Sequence, residues 1–361
     1  MVNILTSFPT PTFLLMPSVG IDISDTSVKF LELHDGQFGK TIGRYGTKEI
    51  PEGVVVDGGI KNEEKLVLIL TEIKKQHHLH FIRASLPEEK AFLFTMFAPH
   101  SASLREVHNL VEFRLEENVP LPPRDTVFDY DVVPSGEQRR GKEAEISVVV
   151  FARKTIEEYT NVFQAAGLVP LSLELEAQAI ARSLIKKGDL GTYLIVDFGK
   201  LRTGLAIVSR GLLAFTSTLD VVGDTITDII VKHFSVTKEE AERIKNESDF
   251  IKNKEDEALV GKLMETISSL KNEIERHHQY WNTKKDAKGG PVPPIEKIVL
   301  CGGSSNLVGL RELLSGSLNI PVEQGNVWSN TFSFNDVIPE IDRATSLGYA
   351  TAVGLALRSE T

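Results

Sequence analysis

Two stretches of the chain, "VGIDISDTSVKFLEL" (residues 19–33) and "LIVDFGKLRTGLAIV" (residues 194–208), share one pattern. Each is an apolar strand that reaches an aspartate, passes through a short polar turn containing threonine, and resumes as a second apolar strand. The aspartates, Asp22 and Asp197, lie about half a chain apart in 361 residues. A repeat at this spacing predicts two similar domains, each opening with a β-hairpin.

Composition narrows the class of protein. The chain carries a formal net charge of −10 and 41% hydrophobic residues, so it is long and apolar enough for two or more domains with their own cores. A negative charge argues against a general nucleic-acid binder, because phosphates require a basic surface. Cys301 is the single cysteine, which excludes a disulfide framework and predicts a reducing, cytoplasmic compartment. No apolar run reaches the roughly 18 residues needed to span a bilayer.

The first 17 residues, "MVNILTSFPTPTFLLMP", form a poor signal peptide. They lack the positively charged N-terminal region of a signal peptide and contain three prolines, at positions 9, 11 and 17. We expect an extended segment on the domain surface. The alternative is a short apolar peptide that reaches a membrane surface or a partner.

Apolar periodicity predicts an α/β architecture with mixed sheets. Strand-like runs such as "TYLIVDFG" and "IEKIVLCGG" alternate with helical patterns. The predicted helices cover residues 63–76, 103–117, 155–166, 174–186 and 237–245. Polar, glycine-containing stretches at 134–145 and 282–294 are predicted to be loops.

The two hairpin turns have the composition of a phosphate site. Turn hydroxyls and backbone N–H groups can hold phosphate oxygens. Asp22 and Asp197 would then hold Mg²⁺ directly or through water, because this ion prefers a few carboxylates with waters and phosphates. A third string, "IEKIVLCGGSSNLVGLRELL" (residues 295–314), runs from a strand into Gly302 and Gly303 and then into a helix expected near Val308. Paired glycines allow a flat ring or a phosphate to approach the backbone closely.

In order and spacing, these three motifs resemble the actin, sugar-kinase and chaperone ATPase superfamily. Within it the chain closely resembles the PilM family, cytoplasmic actin-like proteins of type IV pilus assembly whose nearest relative in fold is the division protein FtsA. The resemblance covers residues 19–358 and includes "GLVPLSLELEAQAIAR", "VVGDTITDIIVKHFSVTKEEAERIK" and "LGYATAVGLALR". It implies an actin-like (ribonuclease H-like) two-domain α/β fold with mixed sheets and an FtsA-like inserted subdomain.

The resemblance also implies a division of the chain. We expect an N-terminal extension at 1–18, the first part of a nucleotide-binding subdomain at 19–81 and the inserted subdomain at 82–168. A connecting helix at 169–190 then leads to a second actin-like domain at 191–361, whose C-terminal helix packs back on the first.

By position, the resemblance implies ATP with Mg²⁺ between the halves. The first phosphate site would contain Asp22, Ser24, Thr26, Ser27 and Lys29, and the second Asp197, Gly199 and Thr203. Glu242 and Lys245 fall at the nucleoside, and Gly302, Gly303 and Ser304 at the adenine. Gly223 and Thr227 fall at the start of the helix after the second hairpin. Glu176 matches an acid that the family places near the nucleotide, so Glu176 and Asp197 are the catalytic candidates and Asp22 and Asp197 the metal ligands.

The first turn departs from the family pattern. Ser24 stands where a glycine is common, and Asp25 follows it. A carboxylate beside a phosphate is unfavourable unless a cation lies between them. Lys200 and Arg202 in the second turn either offset this charge or are surface residues. We therefore expect nucleotide binding with at most slow hydrolysis.

The implied function is a cytoplasmic ATP-binding scaffold, at the inner face of the membrane, that recruits the cytoplasmic tail of a PilN-type inner-membrane protein. Self-association stays open, and membrane association would occur through partners alone. The alternatives are a turnover enzyme of the superfamily, such as a sugar kinase or a fast ATPase, and an FtsA-like division protein. We expect the tail to dock between the inserted unit and the first subdomain, near "NVPLPP". Five apolar residues at helical spacing are predicted to face the inserted unit's own sheet: Leu104, Val107, Leu110, Val111 and Leu115.

Overall fold

The computed structural model describes residues 18–133, 143–248, 250, 256–286 and 289–358. The predicted N-terminal extension lies outside the described residues apart from Ser18, and so does most of the predicted loop at 134–145.

The described strands are β1 (Val19–Ile23), β2 (Ser27–Gly36), β3 (Gly39–Glu49), β4 (Val55–Val56), β5 (Gly59–Ile60), β6 (Phe81–Leu86), β7 (Ala91–Pro99), β8 (Thr126–Val132), β9 (Glu143–Ala152), β10 (Val169–Leu175), β11 (Thr192–Phe198), β12 (Thr203–Ser209), β13 (Leu212–Leu219), β14 (Lys297–Cys301) and β15 (Val322–Gln324). The described α-helices are α1 (Glu63–His77), α2 (Leu104–Asn118), α3 (Arg153–Ala165), α4 (Glu176–Leu184), α5 (Gly223–Phe234), α6 (Lys238–Glu247), α7 (Glu257–Thr283), α8 (Leu310–Ser317), α9 (Arg343–Ser346) and α10 (Ala350–Ala356).

Two five-stranded sheets repeat one topology, and this confirms the predicted repeat of two similar domains. The first sheet has the order β10-β6-β1-β2-β3 and the second the order β13-β12-β11-β14-β15. In each, an antiparallel hairpin lies beside strands that run parallel to its first strand. The first strands β1 and β11 are central in their sheets and carry Asp22 and Asp197 near their ends. The predicted α/β fold with mixed sheets is therefore confirmed.

A third, three-stranded sheet with the order β7-β9-β8 carries α2 on one face and has its own apolar core. The rest of the expected inserted range belongs elsewhere. Strand β6 pairs with β1 and β10 in the first sheet, and α3 buries Tyr159 and Phe163 in the core of the first half. We therefore propose bounds near 91–152 for the inserted unit, because strand pairing and core contacts separate it there.

Helix α2 buries a narrower face than predicted. Val107, Val111 and Leu115 are buried, but Leu104 is 80% exposed and Leu110 is 38% exposed. The prediction that all five apolar residues face the sheet is wrong for these two. A sheet of three strands covers one row of the helix at i, i+4 spacing, and the flanking rows stay in solvent.

Two predicted helix starts are also wrong. Residues 169–175 form strand β10, so the helical part of the expected connecting segment begins at Glu176. The helix expected near Val308 begins at Leu310, because a 3₁₀ turn at Gly303–Asn306 comes first.

The C-terminal helix α10 packs against β1, β2 and α4 of the first half. Its residues Ala350–Leu355 are all buried. Past its end, Arg358 Nη1 lies 2.8 Å from Glu174 Oε2, and Arg182 binds the same carboxylate through both oxygens. Residues 350–358 therefore complete the core of the first half of the chain.

Candidate functional site

A cavity of about 650 Å³ lies between the two hairpins, within the roughly 300–1,000 Å³ range of small-molecule sites. Most of the predicted site residues line it: Asp22, Ser24, Thr26, Ser27, Lys29, Glu176, Asp197, Gly199, Glu242, Gly302, Gly303 and Ser304. Thr203, Gly223 and Lys245 do not belong to its lining. We call residues 24–27 the first turn and residues 199–202 the second turn.

Ser24, at the position where the family commonly has glycine, closes the first turn through hydrogen bonds to Ser27. Its backbone N–H donates to Ser27 O at 2.9 Å, and its hydroxyl accepts from Ser27 N–H at 3.1 Å. Lys29 Nζ donates to Ser27 Oγ at 3.2 Å. The first turn therefore presents hydroxyl groups to the cavity, and Lys29 of β2 adds an ammonium beside them.

Asp25 has a partner that the sequence did not indicate. Its two carboxylate oxygens accept the backbone N–H groups of Asp57 and Gly58, each at 3.1 Å. These residues form the turn between β4 and β5. Two amide donors therefore stabilise the charge of Asp25, and Arg202 makes its own ion pairs with Glu176 and Glu89.

Asp22 and Asp197 face the cavity from the two central strands. Asp22 Oδ1 accepts a hydrogen bond from Ser85 Oγ at 2.9 Å. Burial, together with the negative charge of Asp22, raises the pKa of Asp197 to about 6. Two neighbouring carboxylates of which one resists ionisation suit a cation between them. This donor pair fits Mg²⁺, which takes a few carboxylates and completes its shell with waters and phosphates. Within the ranges that the structure describes, no group of three or more His, Cys, Asp or Glu is placed to hold a metal ion.

Glu176 begins α4 at the wall of the cavity. Burial raises its pKa well above the ordinary value, although the Arg202 guanidinium opposes this shift. Glu88 lies close by, and its Oε1 accepts the backbone N–H of Ala177 at 2.8 Å in the first turn of α4. Burial raises the pKa of Glu88 to about 7. The wall is thus an acidic cluster around one guanidinium.

The Gly302–Gly303 pair forms another wall. Gly302 has φ +82°, and a Cβ there would lie 2.6 Å from Phe198 O, so only glycine fits. Gly223 packs behind this wall, because its own Cβ would lie 2.6 Å from Ser304 Cβ. Thr203 is fully buried and its hydroxyl donates to Val221 O. Gly223 and Thr203 therefore support the site from behind.

Lys245 is buried and forms an ion pair with Glu242. Its Nζ lies 2.7 Å from Glu242 Oε2 and donates to Thr227 Oγ1 at 3.1 Å. The Thr227 hydroxyl donates to Glu242 Oε1 at 2.6 Å. Both carboxylate oxygens are thereby fixed, while Glu242 reaches the cavity.

Sequence reasoning missed several lining residues. Asn246 follows Glu242 by one helical turn, and this i, i+4 spacing could have identified it. Others come from β3 and from the C-terminal segment, which no local pattern connects with the hairpins: Thr47, Glu49, Thr345, Gly348, Tyr349 and Thr351.

A model of the family described as type IV pilus assembly protein PilM matches residues 20–360. The chain belongs to the PilM family. A solved structure of a PilM-PilN type IV pilus biogenesis complex is similar to it at TM-score 0.75 and 20% identity, covering 95% of this chain and 98% of that one.

More distant structures share the fold. The ethanolamine utilization protein EutJ from Carboxydothermus hydrogenoformans has TM-score 0.54 and 17% identity, covering 97% of this chain and 90% of that one. MreB5 of Spiroplasma citri bound to ADP has TM-score 0.52 and 15% identity, covering 87% and 93%. These matches confirm the actin-like fold. Among the helices described for the PilM-family chain, none combines the length and the apolar character that crossing a membrane requires.

Proposed function

We propose that this PilM-family chain is an ATP-binding scaffold of type IV pilus assembly. One observation carries the proposal: the two matching hairpin turns, the Gly302–Gly303 wall and Glu242 meet around a single cavity of about 650 Å³. The MreB5 structure similar to this chain contains ADP. A nucleotide therefore fits both the shape of the cavity and the chemistry of its walls.

The residues divide into roles by chemistry. Bound ATP with Mg²⁺ would supply the phosphates and the cation that the two turns are suited to hold. Asp22 and Asp197 would hold the cation. Lys29 and the hydroxyls of the first turn would donate to phosphate oxygens, because such groups together with backbone N–H groups form anion sites.

Binding at the nucleoside end would use different groups. Glu242, fixed by Thr227 and Lys245, offers carboxylate oxygens to sugar hydroxyls. Gly303 leaves open space for a flat base, since a Cβ there would meet no described atom beyond its chain neighbours within 4 Å.

Slow turnover follows from how Glu176 is held. Its Oε1 accepts from Arg202 Nη2 at 2.7 Å, so this oxygen is engaged. General-base catalysis requires a carboxylate within hydrogen-bond reach of the proton it removes. The chain would bind ATP to order its two halves and turn it over slowly. No observation favours a sugar kinase, a fast ATPase or an FtsA-like division protein.

The partner we propose is the cytoplasmic tail of a PilN-type inner-membrane protein, which would hold this chain at the cytoplasmic face of the membrane. The similar structure is titled as a PilM-PilN complex. Residues 119–123 lead into β8, an edge strand of the inserted sheet. Extended peptides often bind by lying along such an edge or in the groove beside it.

Titration calorimetry with synthetic PilN-type tails, with and without Mg-ATP, tests both parts. We expect the tail to bind, and any factor that ATP adds to tail affinity must equal the factor that the tail adds to ATP affinity. A chain that binds neither ligand at millimolar concentration contradicts the proposal. Binding of the tail without binding of nucleotide would support the scaffold role and refute the ATP site.

A further inference from the structure

Arg202 reaches from the second turn to two acidic side chains of the first half. Its Nη2 lies 2.7 Å from Glu176 Oε1, and its Nη1 lies 3.2 Å from Glu89 Oε1. Glu89 belongs to the 3₁₀ turn at Glu88–Lys90 after β6, and Glu176 begins α4. One guanidinium therefore joins three segments that are distant in sequence, at the edge of the cavity.

These ion pairs are largely removed from water. The side chain of Arg202 is 18% exposed and that of Glu176 is 8% exposed. Removing one partner of a buried pair is strongly unfavourable, because the remaining charge keeps neither water nor counter-charge. The planar guanidinium can serve two carboxylates at once, whereas the compact ammonium of lysine is a single point charge. Arginine is thus the residue suited to this position.

The backbone of Arg202 forms hydrogen bonds within the cavity wall, while its side chain pairs with the opposite half. Its carbonyl accepts from Gly199 N–H at 3.1 Å, and Gly199 O accepts from Gly223 N–H at 3.1 Å. Between these anchors, Lys200 and Leu201 line the cavity. A displacement of the Arg202 side chain would therefore release this part of the wall.

We propose that Arg202 is a positioning residue of the nucleotide site: it holds the second turn against Glu89 and Glu176 and thereby slows release of bound nucleotide. The inference rests on the proposed nucleotide-binding function. It assigns the ion pairs a role in the closure of the cavity, where the sequence left Arg202 as a counter-charge for Asp25 or a surface residue.

The test is the dissociation rate of a fluorescent ATP analogue with Mg²⁺, measured by stopped flow on the full chain. Arg202→Gln should speed release about tenfold, which corresponds to ~1.4 kcal/mol. Lys187→Gln is the matched control, since it removes one positive charge from an exposed residue that does not line the cavity. We expect it to change the rate less than about twofold. Arg202→Lys should be intermediate, because lysine can pair with one carboxylate.

A double-mutant cycle with Glu89→Gln identifies the contact. Glu89→Gln should speed release, and the double variant should be no faster than Arg202→Gln alone, because both remove one interaction. If the double variant instead releases nucleotide faster by the product of the two single effects, the substitutions act independently and the proposal is overturned. So would a Lys187→Gln variant that releases nucleotide as fast as Arg202→Gln, since loss of one positive charge alone would then explain the change. If Arg202→Gln does not fold, an unchanged rate in Glu89→Gln overturns it.

Hydrogen exchange on the ligand-free chain separates this inference from the proposed function. Arg202→Gln should speed amide exchange in residues 88–90 and 199–203 relative to the wild type. A wild type that binds no nucleotide refutes the proposed function and, with it, the role in release. Faster amide exchange in Arg202→Gln would in that case still establish that Arg202 links the two halves. Unchanged amide exchange would refute this link as well.

Discussion

The wall formed by Gly302 and Gly303 allows a direct test of where a nucleotide lies. A Cβ added at Gly303 would meet no atom beyond its chain neighbours within 4 Å, and Gly303 lines the cavity. Gly303→Ala therefore fits the folded chain, and it reduces the freedom of the unfolded chain. We expect the free energy of unfolding to rise by about 0.4–1 kcal/mol.

The same methyl group occupies space that the proposed function gives to the base. Ligand atoms would have to withdraw from the wall, so the dissociation constant for Mg-ATP should rise at least about tenfold, or ~1.4 kcal/mol. Thermal unfolding without ligand and titration calorimetry with Mg-ATP measure the two effects on one sample. Higher stability together with weaker binding is an unusual combination, and a general folding defect cannot produce it.

Gly223→Ala is the matched control. Its Cβ would lie 2.6 Å from Ser304 Cβ and 2.9 Å from Gly199 O, and such overpacking costs about 1–3 kcal/mol. We expect a lower melting temperature before any ligand is added. If Gly303→Ala binds Mg-ATP with the wild-type dissociation constant, the base does not lie against this wall, and the assignment of Gly302, Gly303 and Ser304 is wrong.

Four further predictions concern the rest of the site and the inserted unit. Mg-ATP should raise the melting temperature, because a ligand of the folded state stabilises it by mass action, and Asp22→Asn should reduce the shift in scanning fluorimetry. Phosphate release should stay below about one per minute, far under the roughly 1–10³ per second of typical enzymes; several per second, lost in Asp197→Asn, would indicate an enzyme. The pKa of Asp197 is raised to about 6 in the folded chain, so folding favours its protonated form. The free energy of unfolding of the ligand-free chain should therefore fall by up to about 3 kcal/mol as pH rises from about 4 through 6. Urea unfolding of Asp197→Asn should show a weaker dependence of stability on pH in this range. Replacing residues 92–150 by two glycines should abolish tail binding and retain a thermal response to Mg-ATP, and unchanged tail affinity would place the docking site elsewhere.

The two hairpins and the Gly302–Gly303 motif were predictable because their signals are local. An apolar strand, a polar turn and a second strand specify a hairpin from adjacent residues, and a hairpin fixes its own register. The repeat of this pattern gave the two-domain fold without knowledge of any contact. Predicted helices at 63–76 and 103–117 match α1 and α2 closely for the same reason.

The assignment of β6 and α3 needed information that no local pattern contains. Strand β6 is a short apolar run whose partners are β1, some 60 residues earlier, and β10, some 90 residues later. Nothing in "FIRASL" distinguishes a strand of the inserted unit from an internal strand of the first sheet. Deleting the expected inserted range, 82–168, would remove nearly all of this internal strand of the first sheet. The ends of 92–150 are neighbours instead, because Ala91 pairs with Phe151 across the ladder.

Strand β9 connects the inserted unit rigidly to the first half of the chain, which carries part of the proposed nucleotide site. Its side chains alternate between two cores: Val148 and Val150 pack in the inserted unit, while Val149 and Phe151 pack in the first half. The 3₁₀ turn that carries Glu89 directly precedes β7, the partner of β9. A shift of the second turn would therefore reach the base of the inserted unit through Arg202. If the proposed tail and nucleotide sites are coupled, β9 and the Arg202 guanidinium would transmit the coupling, and Arg202→Gln should weaken it equally in both directions, because linkage is reciprocal.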